Sequence, residues 1–216
     1  MNGPQDIAIA LAWPATLCKQ AGAWYDGLMH KMNINRNGYY QVGHAALVLL
    51  KRDAQTAQYF DLGRYHAPAG MARVRSAETD HELRIHTPLT WRPDLDVPVN
   101  ICSLLEEVAN NRACHGDGVM HWSAVAVEVE HALAKAKAMQ ARVFIPYGPF
   151  VLGGSNCSRF VNTAIRAGRP QPLVGLGLTF PTSLSPTPIG NVRTVGRTGL
   201  IGKVDPESRS VWQPCL

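Results

Sequence analysis

Residues 153–161 read Gly-Gly-Ser-Asn-Cys-Ser-Arg-Phe-Val, which predicts a turn that leads into a helix. Two glycines and a polar pair lead into Cys157, after which apolar residues recur at helical spacing as far as Ile165. Gly168 and then Pro170 end the predicted helix. Cys157 therefore stands in the first turn of a helix, where the positive end of the helix dipole lowers a thiol pKa and favours the thiolate.

Position alone leaves two interpretations of Cys157. A thiol with a lowered pKa at the start of a helix can act as a nucleophile. A free cysteine is more often a small buried hydrophobe, and its spacing to Phe160 and Val161 places it on their buried face. Residues elsewhere in the chain have to decide between the two.

The composition is that of a globular, core-forming protein, with 46% hydrophobic and 17% charged residues. The length of 216 residues fits one domain, and we predict a single domain over residues 1–216. The formal charge is +5, but the chain has no block of five or more basic residues. We therefore expect no nucleic-acid partner, while a mild attraction to anionic surfaces stays open.

The five cysteines are an odd number without a Cys-x-x-Cys pair, which argues against a disulfide framework. Reduced thiols predict a cytoplasmic protein. The apolar run at residues 7–13 follows an acidic residue rather than basic ones and is too short to cross a bilayer. We therefore predict neither a signal peptide nor a membrane span.

A predicted hairpin carries the second and third candidate residues. Residues 42–50 are apolar on both faces, which predicts a central strand, and His44 is the polar exception. Residues 59–65 form the next predicted strand and include Asp61. A hairpin that is symmetric about Arg52 and Asp53 sets His44 directly opposite Asp61 on one face, whereas a bulge or an asymmetric loop would break this pairing.

The remaining elements follow from periodicity and composition. We predict strands at residues 7–13, near Val74, and at 83–87, 120–129 and 143–145, and helices at 16–32, from about 99 to 111, and at 130–140. Beyond Pro170 the chain is rich in Gly, Pro, Ser and Thr, so we expect loops, an edge strand at 191–195 and a loose tail over the last ten residues.

A cysteine at a helix start, a histidine on a central strand and an acid on the neighbouring strand are the parts of a thiol hydrolase. His44 would take the proton of the Cys157 thiol, and Asp61 would orient the imidazole and support its charged form. The backbone N–H of Cys157 would bind an oxyanion. Tyr147 and Asn156, which precede the cysteine, are further candidates for an oxyanion or substrate site, although a tyrosine there more often only packs.

Three segments resemble the circularly permuted NlpC-type cysteine hydrolases of the papain-like superfamily, which include the YiiX-like and lecithin:retinol acyltransferase-like proteins. The segments are Gly-His-Ala-Ala-Leu-Val at 43–48, Tyr-Phe-Asp-Leu at 59–62 and Asn-Cys-Ser-Arg-Phe-Val at 156–161. In the permuted group the histidine strand precedes the cysteine helix, as here. The resemblance implies that Cys157 is the nucleophile, His44 the base and Asp61 the third polar residue. It also implies an α+β fold, with a small antiparallel sheet and the nucleophile helix packed against it.

The chain departs from the acyltransferase branch, which usually has histidine in place of Asp61 and Glu-His in place of Ser158 and Arg159. The resemblance therefore supports a prediction of the reaction type more than a prediction of the substrate. It implies a cysteine hydrolase or peptidase that acts on an amide or ester through a Cys-His-Asp triad and a thioester intermediate, without a cofactor. A peptide or cell-wall-type amide is the leading substrate class. The alternatives are lipid acyl transfer and a non-catalytic binding module of the same fold.

A rival metal site would use Cys114, His115, Asp117 and His121, which form a local cluster of metal-type ligands. Zinc sites usually need tighter pairing and a distant second pair of ligands. We therefore favour structural or surface roles for these four residues and predict no metal site.

Overall fold

The computed structural model describes residues 5–19, 35–36, 39–40, 42–207 and 210–212. The strands in this part of the chain are β1 Asp6–Trp13, β2 Cys18–Lys19, β3 Asn35–Arg36, β4 Tyr39–Tyr40, β5 His44–Leu50, β6 Gln58–Gly63, β7 Met71–Arg75, β8 Met120–Val127, β9 Ile145–Pro146, β10 Leu200–Asp205 and β11 Ser210–Trp212. The α-helices are α1 Ile101–Asn110, α2 Val129–Gln140, α3 Cys157–Ala167, α4 Pro172–Thr179 and α5 Pro188–Val195.

An antiparallel sheet of eight strands organises the described chain, in the order β11-β10-β8-β1-β5-β6-β7-β9. The strands β2, β4 and β3 form a separate small sheet. β5 lies between β1 and β6 and is buried along its whole length, which confirms the predicted central strand. Both faces of this sheet must be covered, because both carry apolar side chains.

Alternation along β1 explains how the two faces are covered differently. Ile7, Ile9 and Leu11 point into one hydrophobic cluster, together with residues of α1 and the segment before it. Ala8 and Ala10 point into the other cluster, together with residues of α2, α3, α4 and α5. Small side chains let helices approach a sheet closely, so the alanine face is the one against which α3 packs.

The sequence predicted most of the central elements within a few residues, and a mixed α/β fold with an antiparallel sheet is confirmed. The sheet is larger than the small one expected. The permuted papain-like order stays a prediction.

Several local predictions were wrong, including the loops expected directly after Pro170, where α4 forms. Residues 191–195 belong to a helix rather than an edge strand, because Thr187 caps α5 by accepting from the Gly190 N–H and Pro188 suits its first turn. Residues 83–87 contain no strand, since Leu83 ends a short 3-10 helix. The tail is partly ordered, because β11 pairs with β10.

The helix predicted at residues 16–32 falls mostly outside the described residues. At its beginning, Cys18 and Lys19 form β2 instead of a helix. Within the described chain, no helix is both long and apolar enough to cross a membrane.

Candidate active site

The β5–β6 hairpin brings His44 and Asp61 together with a register that differs from the symmetric prediction. Asp61 lies opposite Ala46, because the hairpin is centred one residue later than expected. The prediction of direct opposition was therefore wrong by two residues. An even shift keeps both side chains on one face, and His44 Nε2 lies 3.4 Å from Asp61 Oδ2.

A cap at the start of α3 fixes the position of Cys157. Asn156 is the N-cap, and its Oδ1 accepts from the Arg159 N–H at 2.8 Å. Cys157 is the first residue of the helix and is buried, and its Sγ lies 3.9 Å from the Ser158 hydroxyl. Buried Asn191 of α5 donates to the Ser158 carbonyl at 2.8 Å, so the first turn is held from both sides.

The electrostatics of Cys157 and His44 favour a thiolate–imidazolium pair. Burial raises the pKa of the Cys157 thiol, but the hydrogen bond and charge of His44, with the Ala45 backbone N–H, outweigh burial and lower that pKa overall. Burial alone would lower the pKa of His44, whereas its interactions with Asp61 and Cys157 raise it to about 9. The two pKa shifts favour a proton on the imidazole and a negative charge on the sulfur, which is the arrangement that a cysteine nucleophile needs.

Asp61 is the centre of a buried polar cluster that reaches beyond His44. Burial raises its pKa, but His44 and Arg75 lower it overall, so the carboxylate stays ionised. Arg75 lies opposite Asp61 on β7 and donates from Nε to Oδ1 at 2.9 Å and from Nη2 to Oδ2 at 2.5 Å. The Tyr59 hydroxyl donates to Oδ2 at 3.2 Å. No aligned hydrogen bond joins His44 Nε2 to the carboxylate, so the two interact as an ion pair.

Aromatic side chains frame the imidazole of His44. The Trp13 ring stacks on it with centroids 5.8 Å apart and an interplanar angle of 25°. The Tyr65 ring meets it edge-on at 6.4 Å and covers the Arg75 guanidinium at 3.6 Å. The His115 ring stacks in turn on Tyr65 at 4.7 Å. These contacts limit the orientations that the imidazole can adopt.

Gly43 lets the chain enter β5 beside Trp13. Its φ of +74° belongs to the left-handed region, and a Cβ there would lie 2.8 Å from the Trp13 carbonyl oxygen. Any other residue at this position would shift the backbone that presents His44.

A cleft of about 340 Å³ opens at this cluster. It is lined by Thr16, Leu17, Cys18, His44, Leu62, Gly63, Arg64, Tyr65, His115, Asp117, Tyr147 and Cys157. The volume lies near the lower end for small-molecule sites, and the lining mixes apolar walls with charged groups of both signs. A substrate that enters this cleft meets both His44 and Cys157.

The structure separates the two remaining site candidates. Tyr147 lines the cleft, and the Arg64 guanidinium lies 5.4 Å from the centre of its ring. Asn156 does not belong to the cleft lining, and its Oδ1 is occupied by the helix cap. An oxyanion or substrate role stays a prediction for both residues.

The suggested metal ligands are not brought together. Cys114 is buried, and burial raises the pKa of its thiol to about 12. His115 and Asp117 face the cleft, whereas His121 lies on β8 beside Lys203 of β10. Among residues 5–19, 35–36, 39–40, 42–207 and 210–212, no group of three His, Cys, Asp or Glu side chains is placed to hold a metal ion.

Four residues that surround the cluster were not predicted from the sequence, namely Arg75, Tyr65, Trp13 and Cys18. A strand was expected near Val74, and pairing it with the Asp61 strand would have set Arg75 opposite the acid. The residues next to Trp13 and Cys18 in the sequence do not indicate that these side chains lie near the cleft. Trp13 reaches it through the pairing of β1 with β5, and Cys18 lines it from a segment distant in sequence.

Comparison with known proteins identifies the family. The family described as "Type VI secretion system effector TseH-like" matches residues 8–171, most of the chain. A solved structure, titled as the crystal structure of the type VI secretion system effector TseH, is similar over 98% of this chain and 98% of its own, with a TM-score of 0.63 and 15% identity. At that identity the likeness shows the fold alone. No curated protein sequence matches. Since the family match covers well over half of the chain, this protein belongs to the TseH-like family of type VI secretion system effectors.

Proposed function

We propose that this chain is a cysteine hydrolase that cleaves an amide or ester bond through a thioester on Cys157. His44 serves as the acid and base, and Asp61 orients the imidazole and stabilises its protonated form. One observation carries the proposal: a buried thiol with a lowered pKa lies beside an imidazole with a raised pKa at the wall of an open cleft. Perturbed groups that share a cleft are typical of catalytic sites.

The first half of the reaction begins with the proton on His44. The Cys157 thiolate attacks the substrate carbonyl carbon, and a C–S bond forms as the carbonyl oxygen takes up negative charge. The backbone N–H of Cys157, at the first turn of an 11-residue helix, faces the developing oxyanion with the positive end of the helix dipole. His44 then gives its proton to the leaving amine or alcohol, and the thioester remains.

The second half of the reaction uses the neutral imidazole as a base. His44 takes a proton from a water molecule that attacks the thioester carbon, and collapse of the intermediate expels the Cys157 thiolate and a carboxylic acid. Asp61 stays ionised throughout, because Arg75 pairs with it in the interior. The Trp13 ring keeps the imidazole oriented while the proton moves.

The substrate class is inferred from two directions. The resemblance to permuted NlpC-type enzymes favours a peptide or cell-wall-type amide, and the cleft carries both Arg64 and Asp117 to meet charged ends of such a peptide. The family description supports a role as a type VI secretion effector. An effector acts outside the cell that makes it, so this proposal replaces the cytoplasmic location expected from the reduced thiols.

The proposal is tested by trapping the acyl-enzyme. Purified protein is incubated with p-nitrophenyl acetate, and separately with peptides released from digested cell wall, and its intact mass and peptide map are recorded. We expect release of product and an acyl adduct on the peptide that contains Cys157.

Two variants make this test specific. Cys157→Ala should abolish both product release and the adduct, while Cys102→Ala, a half-buried thiol on the other face of the sheet, should change neither. Product release by Cys157→Ala at the wild-type rate, or an adduct on another cysteine, would falsify the assignment.

A further inference from the structure

α4 exposes a line of apolar side chains and carries no charged residue. Val174 and Leu178 are buried against the core, whereas Leu173 is 54%, Leu176 60% and Phe180 74% exposed. Residues in a helix advance by about 100° each, so Leu173 and Leu176 lie on the side away from the buried pair, and Phe180 follows directly after the last helical residue as the C-cap. These three residues are called the apolar stripe below.

Arginines flank the apolar stripe on both sides. Gly175 and Thr179 lie on one side of it by helix geometry, and they share a surface pocket with Arg166 and Arg169. Gly177 lies on the other side, and a Cβ built there would be 3.3 Å from Arg197 Nη1.

These arginines are available to a ligand to different degrees. Arg169 also pairs with Glu128 at 3.2 Å, so its charge is shared with that carboxylate. Arg166 and Arg197 are exposed. A surface that meets the apolar stripe would therefore meet guanidinium groups along both of its edges.

The charge of this part of the chain is one-sided. Residues 131–204 contain nine Lys and Arg residues and no Asp or Glu, while the rest of the chain has more acidic than basic residues. The net charge of +5 therefore originates in the segment that includes α3, α4 and α5. Glu128 and Glu78, from outside this segment, pair with Arg169 and Lys137, and the remaining excess of positive charge attracts polyanionic surfaces.

We propose that the α4 face docks on an anionic lipid surface. Leu173, Leu176 and Phe180 enter the boundary between headgroups and acyl chains, and the flanking arginines bind lipid phosphates. Apolar side chains with a basic rim are the pattern of helices that lie in a membrane interface. α4 has eight residues and is about 12 Å long, so it lies on the surface and does not cross the roughly 30 Å hydrocarbon core.

Charge and shape favour lipid over the other occupants of this face. A second copy of the chain would bring like-charged arginines together at the stripe. A protein partner would need an apolar groove shaped for three protruding side chains, whereas a fluid lipid interface accommodates them without such a groove.

α4 is also linked to α3, because Asn162 Nδ2 donates to the Leu178 carbonyl at 2.9 Å in the interior. Docking through α4 would therefore fix the orientation of α3 toward the lipid surface.

The test is sedimentation of the full chain with two kinds of vesicle, pure phosphatidylcholine and phosphatidylcholine mixed with phosphatidylglycerol. We expect binding to the mixed vesicles that weakens as salt is added, and little binding to the neutral ones. The double variant Leu176→Ser/Phe180→Ser should bind at least about tenfold more weakly, because the buried apolar area is lost. Arg166→Gln and Arg197→Gln should each weaken binding about fivefold, the equivalent of roughly 1 kcal/mol for each arginine near an anionic surface.

Matched variants away from the stripe serve as controls. Leu152→Ser removes a side chain that is 98% exposed on the loop before α3, and Arg84→Gln removes an exposed arginine on the other face of the sheet. Both should bind the mixed vesicles like the wild type. All substituted positions are exposed, and thermal unfolding verifies that each variant is folded.

Three results would overturn the proposal. The first is wild-type protein that stays in solution with mixed vesicles at low salt. The second is a double variant that binds as tightly as the wild type. The third is a dimer, seen by light scattering, that the double variant abolishes while no vesicle binds, since that result would assign the stripe to a second copy of the chain.

Discussion

Two thiols line the same cleft, and their environments give them opposite properties. Cys157 is the more buried of the two, yet its pKa is lowered by His44 despite burial. Cys18 is half-buried, and burial, with the nearby charge of Cys157, raises the pKa of its thiol to about 12. Neighbouring groups, rather than access to solvent, therefore set the difference in pKa between the two thiols.

Hydrogen bonding explains the contrast. The Cys18 thiol donates to the Gly43 carbonyl at 3.5 Å, a contact that needs the proton and so stabilises the neutral form. Cys157 instead faces the His44 imidazole, whose pKa is raised, and the Ala45 N–H, and both lower the pKa of the Cys157 thiol. The cleft thus contains one nucleophile candidate and one thiol that stays protonated.

Removal of each thiol in turn should give the largest difference. We expect Cys157→Ala to lower kcat/KM by at least about 10⁴-fold, as when a nucleophile is removed from a catalytic unit. Cys18→Ala should stay within about tenfold, since it removes a wall of the cleft and not a reacting group. Steady-state kinetics on a substrate found by the acyl-enzyme screen measures both. Equal losses of kcat/KM in the two variants would show that Cys157 and Cys18 do not differ in their contribution to catalysis.

The buried cluster behind His44 should have the next largest effect, on stability. Asp61→Asn leaves Arg75 buried without its partner, and we expect the free energy of unfolding in urea to fall by about 3–5 kcal/mol. Arg73→Gln breaks a more exposed pair with Asp80, so a loss of only about 1–2 kcal/mol is expected. A loss in Asp61→Asn no larger than that in Arg73→Gln would show that the buried pair contributes little.

The pH dependence of alkylation should distinguish the thiols directly. Cys157 should react with iodoacetamide at neutral pH about 10- to 100-fold faster than Cys18 or Cys114, whose raised pKa values keep them protonated. Hydrolysis should follow a bell-shaped profile. It falls on the acid side as Cys157 gains a proton, and on the alkaline side as His44 loses its proton near pH 9.

A variant of the histidine sharpens this measurement. His44→Ala should raise the Cys157 pKa and slow its alkylation at neutral pH to the rate of an ordinary buried thiol. Peptide mass mapping assigns the modified cysteine. If His44→Ala leaves that rate unchanged, the imidazole is not what activates the sulfur.

The sequence was sufficient for features that depend on local pattern, and insufficient for those that depend on packing. The apolar residues on both faces of the segment 42–50 predicted a central strand, and the polar exception His44 indicated the candidate site. The predicted proximity of His44 and Asp61 was correct although the predicted register was wrong, because a shift by two residues keeps both side chains on the same face of the sheet. Arg75 and Trp13 reach the site because their strands pair with β6 and β5, and no short segment of the sequence predicts which strands pair. The sequence did not predict α5, because its segment has a composition typical of loops, and the helix depends on the Thr187 cap and on Pro188 in its first turn.

The smallest expected effect tests whether the helix start itself activates Cys157. Asn156→Ala removes the side-chain cap of α3, and Thr187→Ala removes the equivalent cap of α5. Each should cost about 1 kcal/mol of unfolding free energy, since both leave a first-turn N–H unsatisfied. Only Asn156→Ala should also slow Cys157 alkylation, because only that cap fixes the turn carrying the thiol. Equal alkylation rates in the two variants would mean that His44 alone lowers the pKa of Cys157, and that the helix only holds the residue in place.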